Sequence, residues 1–192
     1  MRLLGRALVD RLRRPPARAA DVAAVRRRLR AQAGPRRATT AERAVAGRMR
    51  DLRVALSRAL GSLQACGRCG VGHPPPHGQW AGGFCCGAPT EVIFTDEELA
   101  ALRLSGTTPR RLRVLLEPAA GCAFRGPAGC ALAPADRAAK CARYLCRDVV
   151  RELHARGDLA AIELLAEELH TAYTRFVALR AARLDDEAVG LR

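Results

Sequence analysis

The sequence predicts a mostly α protein, in which two irregular cysteine-rich loops converge on a metal centre, and three observations predict it. Apolar residues recur at three- and four-residue spacing along most of the chain, the period of an amphipathic helix. Aromatic residues make up only 4% of the 192, while Ala and Leu abound, which suits closely packed helices better than a β-sandwich. Six of the eight cysteines lie in the two stretches where the helical period fails, and the other two follow directly after.

In chain order, Leu4, Leu8 and Leu12 mark a short amphipathic helix that Pro15 and Pro16 stop. Val22, Val25 and Leu29 carry a second stripe, ended by Gly34 and Pro35. Thr39 followed by Glu42 is a capping box that opens a long helix with Val45, Met49, Leu52, Leu56, Leu60 and Leu63 on one face. Residues 66–90 are rich in Gly and Pro and read as irregular loop. Val92 to Phe94 read as a short extended piece, and Thr95 with Glu98 as a second capping box ahead of Leu99 and Leu102. Thr108 and Pro109 signal another helix start, followed by Leu112, Leu115 and Leu116. Glu117 to Pro134 form the second irregular stretch. A helix is expected from Asp136 to Arg156, stopped by Gly157. The last helix, capped by Asp158, shows Ile162, Leu165, Leu169, Tyr173 and Phe176 on one stripe. No internal repeat is evident. Three regions follow: an Arg-rich helical region over 1–60, a cysteine-cluster metal-binding domain over 61–156, and a C-terminal helix over 157–192 that packs on it.

Charge divides the chain in another way. The net charge is +14, and residues 1–60 hold 17 Arg and four acids, so almost all the excess sits in the first third. Lys140 is the only lysine, a bias that points to a GC-rich genome as much as to a function. A basic arm of this kind has three readings. It is a solvated helix face, a surface for nucleic-acid phosphates, or a docking arm for an acidic protein partner or an anionic membrane surface. No run approaches the roughly 20 apolar residues of a membrane span, so no transmembrane segment is expected. The first residues, MRLLGRALVDRLRR, break up any secretory apolar stretch with charge, so a cytoplasmic protein is expected. In a reducing compartment, eight cysteines point to metal or redox chemistry ahead of disulfides.

The cysteines fall in two groups along the chain, Cys66, Cys69, Cys85 and Cys86, then Cys122, Cys130, Cys141 and Cys146. Cys66 and Cys69 form a C-x-x-C pair, a spacing that aims two sulfurs at one ion. Adjacent Cys85 and Cys86 diverge if the backbone is extended. Cys141 and Cys146 lie about 140° apart on a continuous helix, so they share an ion only if a helix starts between them. Thiol-rich, carboxylate-free ligation suits zinc or an iron–sulfur cluster and argues against calcium or magnesium. A structural zinc ion comes first, because four thiolates close its shell. Phe84, Phe124 and Leu132 would shield either centre. His73 and His77 are further candidate ligands, and Trp80 a lid. Tyr144 is expected to pack on the loop. Catalysis has little support, since no Ser–His–acid order, P-loop or H-E-x-x-H occurs. Glu97, Glu98, Glu167 and Glu168 are accounted for by helix capping and solvent exposure. A thiol redox role for Cys66 and Cys69 is the remaining enzymatic reading.

The order of these segments resembles a known family. Phe84-Cys85-Cys86-Gly87 is followed by Val92-Ile93-Phe94-Thr95-Asp96-Glu97-Glu98-Leu99, then by Gly121-Cys122-Ala123-Phe124 and Gly129-Cys130-Ala131-Leu132. Arg137, Cys141, Tyr144 and Cys146 close the series. Over residues 66–150 this is similar to the YkgJ-type cysteine-cluster family, described as zinc- or iron-chelating. The resemblance implies metal chelation, with Cys85, Cys86, Cys122, Cys130 and Cys141 as the first ligands and Cys66, Cys69 and Cys146 next. It implies no reaction. Two departures stand out. Ala138 occupies the place of the family's proline, which predicts a more helical turn there, and the spacing between Cys69 and Cys85 is long.

Overall fold

The computed structural model describes residues 18–34, 36–61, 63–66, 90–113, 122–126 and 129–190, and these are mostly α-helical. The helix expected over 1–14 lies outside them, as do Cys69, Cys85, Cys86, His73, His77, Trp80 and Phe84. The elements run α1 (Arg18–Ala31), α2 (Thr40–Leu60), α3 (Thr90–Ile93), α4 (Asp96–Leu104), β1 (Arg125–Gly126), β2 (Gly129–Cys130), a 3₁₀ turn (Pro134–Asp136), α5 (Ala139–Arg143), α6 (Arg147–Arg156) and α7 (Leu159–Gly190). The two strands form a small antiparallel hairpin with Arg125 opposite Cys130.

The frame is α2 against α7. The Thr39 hydroxyl accepts the Glu42 N–H at 3.0 Å and the Glu42 carboxylate accepts the Thr39 N–H at 2.7 Å, so the predicted capping box is complete. Gly61 ends the helix at φ +58°. Val45, Met49, Leu52 and Leu56 face Ile162, Leu169, Ala172 and Phe176 in one continuous core. α7 has 32 residues, about 48 Å of helix. Arg183 bonds both Glu42 oxygens at 3.0 Å, and Arg48 pairs with Glu168, so the two helices run antiparallel.

A second core lies beside the first. It joins Val22, Val25 and Leu29 of α1 to Ile93, Phe94, Leu99, Leu102, Leu112, Phe124 and Leu132. Phe94 and Phe124 meet edge to face with centroids 5.3 Å apart. α4 divides the cores, with Ala100 and Ala101 in the first and Leu99 and Leu102 in the second.

Four expectations are corrected. Val92 to Phe94 are not an extended piece: Thr90–Ile93 is a helical turn, closed by the Phe94 N–H on the Thr90 carbonyl at 3.0 Å. That turn buries neighbouring Ile93 and Phe94 together and leaves Val92 52% exposed, which the alternation of a strand would not allow. The helix expected after Pro109 is a tight turn as far as Arg113, because Arg26 Nε donates to the Pro109 and Leu112 carbonyls at 3.0 and 2.8 Å. Leu112 is buried there, while Leu115 and Leu116 lie outside the described residues.

The helix expected from Asp136 to Arg156 is three pieces. Extended backbone at Arg137 and Ala138 separates the 3₁₀ turn from α5, and extended backbone at Tyr144 and Cys146 separates α5 from α6. Ala138 has φ −62° and ψ 146°, the backbone a proline would adopt, so the turn is not more helical for lacking one. Gly157 ends α6 in the left-handed region at φ +76°, as its position predicts.

Candidate metal centre

Five cysteines are described. Cys66 ends a helical turn at 64–66, Cys122 precedes the hairpin, Cys130 lies on β2, Cys141 is within α5, and Cys146 is the N-cap of α6. Among the described residues no cystine joins two of them. Cys122 is 6% exposed and the other four are half-buried.

The fold regroups them. Cys122, Cys130 and Cys141 belong to or border the second core, while Cys66 and Cys146 border the first. Cys146 thus leaves its neighbours in sequence and sides with Cys66. α5 is the divider: Ala139 and Ala142 pack in the first core, and Cys141 turns to the second. A helix does start between Cys141 and Cys146, so the rotation of a continuous helix does not constrain them.

Next to four of these cysteines, the backbone is held by a side chain from elsewhere in the sequence or just across the loop. The Thr90 hydroxyl accepts the Ala123 N–H at 2.9 Å, beside Cys122. Arg137 donates to the Leu132 carbonyl at 3.1 Å and to the Cys130 carbonyl at 3.4 Å. Glu98 Oε1 accepts the Ala139 N–H at 2.9 Å and the Lys140 N–H at 3.4 Å, just before Cys141. The Glu152 carboxylate accepts the Gln64 and Ala65 N–H groups at 2.9 and 2.8 Å, just before Cys66, and ties that turn to the helix Cys146 caps. Carboxylates at two starting turns of helix also meet the positive end of the peptide dipoles.

Glu98 corrects a further expectation. It is only 3% exposed, so solvent does not account for it. Thr95 does accept the Glu98 N–H at 3.3 Å, but the Glu98 carboxylate does not return to Thr95. It reaches α5, 41 residues away. Burial pushes its carboxyl pKa up, against the pull of the Ala139 N–H and of Arg53. Arg53 is itself fully buried; one guanidinium nitrogen donates to the Ser105 hydroxyl at 3.1 Å. Burial pushes Arg53 down, and Glu98 and Asp136 oppose that. Arg53 Nε and Glu98 Oε2 have no hydrogen-bond partner among the described residues. Asp136 accepts from the Thr107 hydroxyl at 2.7 Å and pairs with Arg111 at 2.9 Å. This buried charged group links α2, α4, the 107–111 turn and the start of α5.

No feature of the sequence distinguishes these residues. Glu98 looks like half of a local capping box, and Glu152 is one acid on a charged helix. Glu97, Glu167 and Glu168 are partly or fully exposed, as expected. Tyr144 is 45% exposed rather than packed away, because the break between α5 and α6 turns it outward.

Chemically, the described thiols at the second core, Cys122, Cys130 and Cys141, are backed by apolar Phe124 and Leu132, a set that fits a soft or borderline cation. Among the described residues, no three Cys, His, Asp or Glu side chains stand close enough to hold a metal ion. A closed shell therefore needs thiols beyond these, and Cys69, Cys85 and Cys86 are the remaining ones in the chain. Among the described residues no helix is long and apolar enough to cross a membrane. The chain matches no family model, no curated protein and no solved structure.

Proposed function

We propose that this is a metal-binding protein whose clustered cysteine thiolates chelate zinc or an iron–sulfur cluster in a non-catalytic site, in a reducing compartment such as the cytoplasm. The observation that carries the reading is the side-chain anchoring of backbone beside Cys66, Cys122, Cys130 and Cys141. Outer contacts of this kind orient metal ligands and restrict their motion. The motif order that resembles the YkgJ-type family supports the same reading. Cys85, Cys86, Cys122, Cys130 and Cys141 are the proposed first ligands, with Cys66, Cys69 and Cys146 next; because no three of the described side chains stand together, at most two of Cys122, Cys130 and Cys141 would share one ion, with Cys69, Cys85 and Cys86 completing its shell. A zinc ion would supply a cross-link between loops, and a cluster would add one-electron chemistry.

Anaerobic purification followed by elemental analysis and an optical spectrum tests this. Zinc in a colourless preparation, or iron and sulfide with a broad visible absorption, is the expected result. Cys122→Ser and Cys146→Ser should each lower metal content and thermal stability together, because chelation and loop folding are coupled. Purified protein with neither zinc nor iron, and unchanged melting in both variants, would end the proposal.

A further inference from the structure

The sequence puts nearly all of the positive excess in the first 60 residues, yet the fold brings a second arginine run against it. Arg26-Arg27-Arg28-Leu29-Arg30 of α1 lies beside Arg110-Arg111-Leu112-Arg113, because Arg26 donates to the Pro109 and Leu112 carbonyls at 3.0 and 2.8 Å. Leu112 is buried in the core that Val22, Val25 and Leu29 of α1 also enter. The turn is therefore fixed to α1 by both apolar and polar contacts.

Charge on α1 is sorted by flank. Arg30 is one turn after Arg26 and so lies on the flank that faces the 109–113 turn, with Arg27 next to it toward solvent. Arg28 is about 200° from Arg30 and lies on the opposite flank. There it pairs with Asp96 at 2.9 Å. Asp21, seven residues before Arg28, is on that flank too and feels the charge of Glu91. Arg27, Arg30, Arg110 and Arg113 are all exposed, and none forms an ion pair with a described residue.

We propose that Arg27 and Arg30 of α1, together with Arg110 and Arg113 of the adjoining turn, form a surface that binds the phosphate backbone of nucleic acid without reading sequence. Guanidinium forks match phosphate oxygens, and several along one face match a repeating polyanion. The large apolar residues described in α1 and the adjoining turn, Val22, Val25, Leu29 and Leu112, are all buried, so among the described residues this face exposes no large apolar side chain for insertion into a bilayer.

The test uses the full chain as purified and a labelled mixed-sequence DNA duplex in fluorescence anisotropy across a salt series. Two double variants, Arg27→Glu with Arg30→Glu and Arg110→Glu with Arg113→Glu, are compared with Arg147→Glu with Arg175→Glu, an exposed pair on α6 and α7. All three change net charge equally. Each variant of the proposed face should weaken low-salt binding at least about tenfold and lower the slope of log affinity against log salt by about two, while the control pair changes little. Circular dichroism melts matched to the parent protein show that folding is intact. Equal losses in all three variants, or none in any, would overturn the proposal. So would face variants that lose binding to anionic vesicles but keep their affinity for the duplex.

Discussion

Both halves of the molecule bury an apolar core, but they differ in how their backbone is held. The α2–α7 frame is closed by apolar burial along a continuous stripe, and its helix start is satisfied by residues three apart. The cysteine-bearing half has short elements, breaks at Ala138 and Tyr144, and backbone N–H groups satisfied by Thr90, Glu98 and Glu152 from distant positions. Burial without direction suffices to keep two long helices together. Holding a backbone at one orientation beside a thiol needs directional bonds, which in a buried setting cost more to break than they contribute when made.

The largest break in this comparison is Phe176→Ala. Phe176 is fully buried in the frame, so truncation should cost about 3–5 kcal/mol of unfolding free energy, read from urea melts. Because the loss is global, every described cysteine should become more reactive to alkylation by a similar factor. A selective change at Cys122 or Cys141 alone would show that the two halves are not separable in this way.

Glu98 should act in the opposite manner. Glu98→Ala leaves the Ala139 and Lys140 N–H groups unsatisfied and removes a counter-charge from Arg53, at a cost of about 1–3 kcal/mol. Cys141, at the helix start that Glu98 caps, should gain alkylation rate well beyond Cys66. Glu98→Gln keeps the accepting oxygen and separates cap from charge. Burial raises the Glu98 pKa above the usual carboxylate value of 4.5. Above 4.5 the folded state therefore holds the proton more strongly than the unfolded chain, so this group's contribution to stability falls as pH rises to the folded pKa. The stability of Glu98→Gln relative to the parent should accordingly rise from pH 4.5 upward and level off beyond the folded pKa. Melts in a pH series check this, and a flat difference would mean that Arg53 holds the carboxyl at its ordinary value.

What the sequence discloses follows the same division. The capping box at Thr39, the stripes of α2 and α7 and the stop at Gly157 are local patterns, and each appears where periodicity puts it. The break before α5 is not local, because Asp136 is drawn to Thr107 and Arg111 and the start of α5 to Glu98. The same holds for the regrouping of Cys146 with Cys66, which depends on where a helix stops rather than on spacing between cysteines. The cysteines themselves are plain in the sequence, but the residues that hold their backbone are not, since a carboxylate that caps a distant helix looks like any other Glu.

The finest distinction comes from two threonines of similar expected cost. Thr39→Ala removes a helix cap on the frame, at about 1 kcal/mol, and Thr90→Val leaves the buried Ala123 N–H without its acceptor, at about 1–3 kcal/mol, so the two ranges overlap. Urea midpoints alone would not tell them apart. Thr90 is buried and its hydroxyl fixes the residue after Cys122, so Thr90→Val frees that turn while leaving valine's bulk in the second core. Peptide mapping after timed alkylation should show Cys122 accelerated in Thr90→Val and unchanged, relative to the other thiols, in Thr39→Ala. If both variants accelerate Cys122 equally, its backbone is held by the general stability of the fold, and the anchoring hydrogen bond has no separate role.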